Sequence, residues 1–120
     1  MIALDKNFSL LVEALLPEGI LYYFEITDAS QNETGISIYL EEKNILPAEH
    51  QHKKLHSKDF LPSVAVQDFP IRRKKVTLYV KRRRWEVVAT GETVTRDWEI
   101  VKKGTRMTLE FGAFLKGLLR

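Results

Sequence analysis

The apolar residues near the start of the chain follow the spacing of an amphipathic helix. Four of them recur at positions i, i+3, i+4 and i+7: Phe8, Leu11, Val12 and Leu15. This pattern predicts a helix whose apolar face belongs to the core. Asn7 is a candidate N-cap, and Pro17 with Gly19 would end the helix.

A β-hairpin is predicted next. Residues 21–27 are rich in aromatic and β-branched side chains, and the turn-forming stretch "DASQNETG" follows them. Residues 35–42 then alternate, with Ile36, Ile38 and Leu40 on one face. Residues 42–63 contain two prolines and no sustained period, which predicts an irregular connection.

Strand-like alternation returns in the second half. Residues 63–71 are predicted to form a short strand or extended segment, and the alternation in residues 74–83 places Val76, Leu78 and Val80 inward. A further strand begins at Arg83 and turns near Gly91 to pair with residues 93–100. This pairing would bring four residues to one face: Trp85, Val87, Val94 and Trp98.

The chain ends in a predicted helix, capped by Thr105 or Thr108. Its apolar stripe consists of Phe111, Phe114, Leu115 and Leu118. The whole pattern predicts an α+β fold: an N-terminal helix, a β-hairpin, an antiparallel ribbon-like basic sheet and a C-terminal helix. At 120 residues this is expected to be one domain, composed of the segments 1–41, 42–63 and 64–120.

Composition excludes several classes of protein. The chain has no cysteine, so it has neither disulfides nor a thiolate metal site. It has no run of about 18 apolar residues and no secretory leader, so we expect a cytoplasmic protein without a membrane span.

Charge is divided unevenly along the chain. Residues 1–49 carry two basic and nine acidic residues, giving −7, whereas residues 50–120 carry 17 basic and seven acidic ones, giving +10. One interpretation is that the two halves pack on each other and partly neutralise their charges. The alternative is that the second half presents a surface for a polyanion.

The basic residues are densest between Ile71 and Trp85, where eight are basic and none is acidic. The candidate DNA-binding residues are Arg72, Arg73, Lys74, Lys75, Lys81, Arg82 and Arg84. Alternation along a strand directs Arg83 to the covered side with Trp85, where it would stack on an indole ring.

No catalytic or metal-binding motif is evident. His50, His52 and His56 lie in the irregular segment without an HExxH spacing, so they are predicted to be surface residues and no metal or cofactor is expected. Glu41 and Glu42 point to opposite faces of a strand and are interpreted as a solvated hairpin end. The sequence therefore predicts that this protein is not an enzyme.

Three short motifs occur in an informative order. His56, Ser57 and Lys58 form a His-Ser-basic segment, residues 68–70 read Asp-Phe-Pro, and residues 76–85 form an alternating strand that ends in Arg-Arg-Trp. Over about residues 53–108 this order resembles the N-terminal region of bacterial insertion-sequence transposases. It is most similar to the short, separately encoded N-terminal proteins of the ISAon type.

The resemblance has one clear departure. Zinc-bearing relatives have a Cys-x-x-Cys-Gly knuckle where this chain has residues 87–91, which contain no cysteine. The resemblance therefore implies a ribbon-like hairpin in which packing of Trp85, Val87 and Trp98 replaces the metal. It also implies binding to double-stranded DNA at transposon ends, together with a separate catalytic transposase subunit.

Two other functions fit the residues. One is a protein-interaction module whose acidic first half docks a basic partner. The other is an RNA-binding protein unrelated to transposition. A homodimer is compatible with all three hypotheses.

Overall fold

A computed structural model of the chain describes residues 6–99, 101 and 109–119. Among the described residues, the helices with defined bounds are α1 (Lys6–Leu15), α2 (Ile20–Tyr23) and α3 (Leu109–Leu118), with a 3₁₀ turn at Ala48–His50. Residues 98, 99 and 101 are also helical. The strands are β1 (Phe24–Gln31), β2 (Gly35–Glu42), β3 (Leu55–Phe60), β4 (Val64–Ile71), β5 (Lys74–Lys81), β6 (Arg83–Val87) and β7 (Thr93–Thr95). The predicted α+β fold is confirmed.

The strands form two sheets. The first sheet has four strands in the order β1-β2-β5-β4, and the second sheet has three in the order β3-β6-β7. The hairpins β1–β2, β4–β5 and β6–β7 are antiparallel. However, β5 and β6 lie in different sheets, and β5 also pairs in parallel with β2. The basic run therefore passes from one sheet into the other.

The main core covers one face of the first sheet. Val76, Leu78 and Val80 are fully buried there, as the alternation of β5 predicts. The predicted apolar stripe of α3 is also confirmed, since all four of its residues are buried. At Gly117 a Cβ would lie 2.9 Å from a methyl carbon of Val66, so the missing side chain lets α3 pack closely on β4.

A smaller core belongs to the second sheet. It consists of Trp85, Val87 and Val94, with Leu55 packed against it. The prediction that Trp98 shares this face is wrong, because β7 ends at Thr95 and residue 98 is already helical, although burial still alternates from Val94 to Trp98. Trp98 instead belongs to the main core.

The first half differs from its predicted pattern in four places. Residues 21–23 are helical, and the strand begins only at Phe24. This strand then runs to Gln31, through residues that were predicted to form the turn. Asn7 lies inside α1. No residue of α1 is buried, so the prediction that its apolar face belongs to the core is wrong: Val12 packs against the core, whereas Leu11 and Leu15 are 61% and 56% exposed.

The segment 42–63 contains more regular structure than predicted. Besides the 3₁₀ turn it includes β3, which pairs with β6 and brings Ser57 opposite Trp85. Burial alternates along most of β3, but most of its residues are polar, so the pattern of hydrophobic residues does not predict this strand. The candidate caps Thr105 and Thr108 lie outside the described residues. Among the helices described, none is long and apolar enough to cross a membrane.

Candidate nucleic-acid interface

The β4–β5 hairpin ends in a tight loop of two arginines. Ile71 pairs with Lys74, so the loop is Arg72-Arg73 alone. Both residues have left-handed backbones, with φ of 52° and 67°. Two-residue hairpin loops of this kind favour Asn-Gly, and a residue other than Gly, Asn or Asp costs about 1 kcal/mol or more there. The loop therefore carries two cations at positions where Asn and Gly would be more stable.

Residues 72–75, called the hairpin tip below, hold four cations. Arg72, Arg73 and Lys75 are exposed, and Lys74 Nζ donates a hydrogen bond of 2.9 Å to Gln31 Oε1. Within the described part of the chain, none of the four forms an ion pair. Their charges are thus available to a ligand.

The remaining basic residues lie at the other end of β5. Lys74 and Lys81 bound the strand, which places them about 23 Å apart at the usual rise of about 3.3 Å per residue. Lys81 is exposed and lies opposite Glu41 in the register of β2. Arg82 is half-buried, and its Nε is buried without a hydrogen-bond partner among the described residues. The run is therefore two groups of cations.

Arg84 is engaged within the protein. Its Nε donates to Asp59 Oδ1 at 2.6 Å, and its second nitrogen donates to the other carboxylate oxygen. This paired contact raises the pKa of Arg84 and lowers the pKa of Asp59. The sequence does not predict this partner, because Asp59 lies in β3, within the segment predicted to be irregular.

Arg83 points to the covered side, as predicted, but it does not stack on an indole. Its guanidinium lies 4.6 Å from the centre of the Phe60 ring. Its Nε donates to the carbonyl of Glu42 at 3.0 Å, and a terminal nitrogen donates to Ser57 Oγ. Arg83 thus connects β6 with β2 and β3.

A buried ion pair lies beside Arg83. Glu42 is fully buried, so its interpretation as a solvated hairpin end is wrong. Its Oε2 accepts a hydrogen bond of 2.8 Å from Arg96 Nε, and its Oε1 accepts one of 3.0 Å from the Arg83 backbone. Burial raises the pKa of Glu42, and the hydrogen bonds from Arg96 and Arg83 partly offset this effect.

Arg96 takes the position over indole rings that was predicted for Arg83. Its guanidinium lies 5.2 Å from the Tyr23 ring centre, 5.6 Å from Trp85 and 5.8 Å from Trp98. The sequence contains a signal for its burial, since Arg96 alternates in phase with Val94 and Trp98. The Glu42–Arg96 pair joins the two sheets, which indicates a structural role.

The histidines are not gathered into a site. His56 Nε2 lies 3.7 Å from Glu86 Oε1, at the surface of the second sheet. Across residues 6–99, 101 and 109–119, no group of three His, Asp or Glu side chains is placed to hold a metal ion.

Four of the seven predicted DNA-binding residues are therefore together at the hairpin tip. Lys81 and Arg82 form a separate group, and Arg84 is ion-paired. The tip is the part of the basic run with the most unpaired charge.

Comparisons of the chain with protein-family models, with curated proteins and with solved structures find no match to the chain.

Proposed function

We propose that this protein binds double-stranded DNA through the hairpin tip, as the DNA-binding module of a transposase whose catalytic part is a separate protein. The observation that carries the proposal is the Arg72-Arg73 loop. Both residues are held in left-handed conformations that favour Asn or Gly. The binding of a ligand to the two exposed arginines would offset the backbone strain of this loop.

The chemistry of the tip suits a phosphate backbone. Arginine donates hydrogen bonds to phosphate oxygens in a fixed fork, and lysine adds point charge. The tip itself is a two-residue loop between two strands, and the major groove of B-DNA, about 12 Å wide, admits an element of that width, although β2 flanks β5 as far as Gly35. The corresponding groove of A-form RNA is too narrow for it. We therefore expect duplex DNA to bind more tightly than duplex RNA.

The number of free cations sets the salt dependence. Each phosphate neutralised contributes about −0.9 to the slope of log affinity against log salt. Four cations at the tip predict a slope of about −3 to −4. Engagement of all seven basic residues would give about −6.

The test replaces the loop with the residues that its backbone prefers. Arg72→Asn with Arg73→Gly removes two charges and keeps the turn, so this variant should fold and should lose most of its DNA affinity. Its salt slope should become shallower by about 2. Lys53→Ser with Lys54→Ser is the matched control, because it removes two charges just before β3.

Fluorescence anisotropy on a labelled duplex at several salt concentrations gives both quantities. A folded wild-type protein without measurable DNA affinity at about 50 mM salt would refute the proposal. An equal loss of affinity in the lysine control would show that general charge, and not the hairpin tip, attracts the DNA.

The transposase context rests on the motif order in residues 53–108. This resemblance implies a cytoplasmic protein, because bacterial DNA lies in the cytoplasm. It also implies that transposon ends are the DNA target. A labelled duplex carrying the terminal repeats of a neighbouring element should then bind more tightly than a scrambled duplex. A catalytic transposase reading frame beside the gene would support the proposal that the catalytic part is a separate protein. Equal affinity for the two duplexes would count against transposon ends as the target.

A further inference from the structure

An open groove of about 410 Å³ lies between α1, α3 and β4. Apolar residues from all three elements line it, among them Leu15, Val66, Phe69 and Phe114. Two carboxylates, Asp68 and Glu110, complete its lining. The groove thus combines an apolar surface with negative charge.

The apolar part of this surface extends beyond the groove. Phe69 is 75% exposed and Leu15 is 56% exposed, and both are large side chains. On α1, Leu11 is 61% exposed one turn before Leu15. Covering such side chains removes apolar surface from water and so stabilises a complex. A cluster of this kind is typical of an interaction surface.

Among the described residues, no cation pairs with the carboxylates of the groove. Asp68 is half-buried; its burial and the nearby Glu110 raise its pKa, although a hydrogen bond from the Phe69 backbone partly offsets this. Glu110 Oε2 accepts a hydrogen bond of 3.3 Å from the Glu18 backbone. None of the residues that line the groove is basic, and neither carboxylate is ion-paired within the described ranges. A positively charged group would therefore complement the groove.

The secondary structure around the groove favours a helix as its occupant. β4 is an edge strand, but a bulge between Asp68 and Ile71 and the absent N–H of Pro70 interrupt its free edge. Both features discourage the addition of another strand. Two walls of the groove are helices, and a third helix could pack along them.

We propose that this groove binds a cationic amphipathic helix of a partner protein. Apolar side chains of that helix would cover Leu15 and Phe69, and its lysine or arginine would reach Asp68 and Glu110. This inference goes beyond the proposed function and does not depend on DNA binding. The contact belongs to the helix-in-groove class of recognition, in which apolar residues at i, i+3, i+4 and i+7 anchor the helix.

The probe is a pair of labelled peptides of about 16 residues, long enough for about four helical turns. Both carry leucine at i, i+3, i+4 and i+7; the flanking positions are lysine in one peptide and glutamate in the other. In fluorescence anisotropy the lysine peptide should bind the wild-type protein at least about tenfold more tightly than the glutamate peptide.

Variants locate the site. Asp68→Asn with Glu110→Gln should weaken binding of the lysine peptide about tenfold, and Phe69→Ser should weaken it as well. The matched control is Glu25→Gln with Glu33→Gln, which changes net charge equally at two exposed residues of the β1–β2 hairpin. The control should bind within about twofold of wild type.

Several results would overturn the inference. They are equal binding of the two peptides, no binding of the lysine peptide, or equal weakening in the control. A wild-type dimer in sedimentation that Phe69→Ser dissociates would assign the groove to a second copy of the chain. DNA titration separates the two proposals, because Asp68→Asn with Glu110→Gln should retain DNA affinity, whereas Arg72→Asn with Arg73→Gly should retain peptide binding.

Discussion

Glu42 Oε2 accepts a hydrogen bond of 2.8 Å from Arg96 Nε, although the two residues are 54 positions apart in the chain. Glu42 closes β2 in the first sheet, and Arg96 directly follows β7 in the second. Their exposed fractions are 0% and 7%. The pair therefore links the two sheets at a place where no single strand or helix runs from one sheet to the other.

Neutralising Glu42 should destabilise the protein strongly. Glu42→Gln leaves the Arg96 guanidinium buried without a counter-charge, and breaking a buried pair in this way typically costs about 3 to 5 kcal/mol. Glu41→Gln is the control. Because Glu41 is only half-buried, this change should lower the free energy of unfolding by only about 0.5 kcal/mol. Urea titration at neutral pH measures both. Similar losses would mean that the pair contributes little to the junction.

Trp98→Ala should destabilise the protein more than Tyr79→Ala. Trp98 is 5% exposed and stacks on Phe24 with ring centres 5.5 Å apart, so its removal leaves a cavity in the main core. Such changes cost about 3 to 5 kcal/mol. Tyr79 stacks on Tyr39 on the opposite, open face, and its loss should cost about 1 kcal/mol. Equal midpoints in urea would contradict this placement of the core.

Relieving the loop should stabilise the fold. Arg72→Asn with Arg73→Gly places residues suited to positive φ at both positions, and we expect a gain of about 1 kcal/mol or more. Arg72→Ala with Arg73→Ala is the control, because it removes the same charges and leaves the backbone unfavourable. Thermal unfolding should rank the Asn-Gly variant above both wild type and the alanine control. The reverse order would show that the arginines themselves hold the loop.

Asp68 and Asp59 should respond oppositely to pH. The pKa of Asp68 is raised above its ordinary value of 3.8, so at pH values just above 3.8 the folded state binds more protons at Asp68 than the unfolded state does. The contribution of Asp68 to the free energy of unfolding therefore falls as the pH rises through this range. Asp68→Asn does not titrate and should therefore gain on wild type as pH rises above about 4.

The pKa of Asp59 is lowered, so its contribution is present above its ordinary value and is lost as pH falls. Asp59→Asn should thus be less stable than wild type at neutral pH and equal to it in strong acid. Urea titrations of both variants at several pH values test the signs. A gain for Asp68→Asn that stays constant down to pH 3 would exclude titration as its cause.

Some of the fold follows directly from residue spacing. Alternation buries one face of β5, and helical periodicity buries the stripe of α3, because each pattern has a single apolar face to cover. The parallel pairing of β2 with β5 could not be predicted this way. Alternation tells which face of a strand is buried, but it does not tell which strand lies beside it.

The candidate site was predictable to a similar extent. The run of basic residues in the sequence includes the four cations of the hairpin tip, but it does not separate them from Lys81, Arg82 and Arg84. The state of Arg84 depends on Asp59, which reaches it only because β3 pairs with β6. The burial of Glu42 likewise depends on a residue far along the sequence. Long-range partners, and not local propensity, decided which of these charges remain free.

The order in which the chain visits its two sheets limits how it can be divided. β3 of the second sheet comes between β2 and β4 of the first, so neither sheet is a continuous stretch of polypeptide. A backbone cut in the connection between Phe60 and Val64 would leave strands of both sheets on each fragment. Each fragment alone would expose the unfinished edges of two sheets. Both sheets would be completed only when the fragments associate, which makes this connection a natural place to split the protein into reconstituting halves.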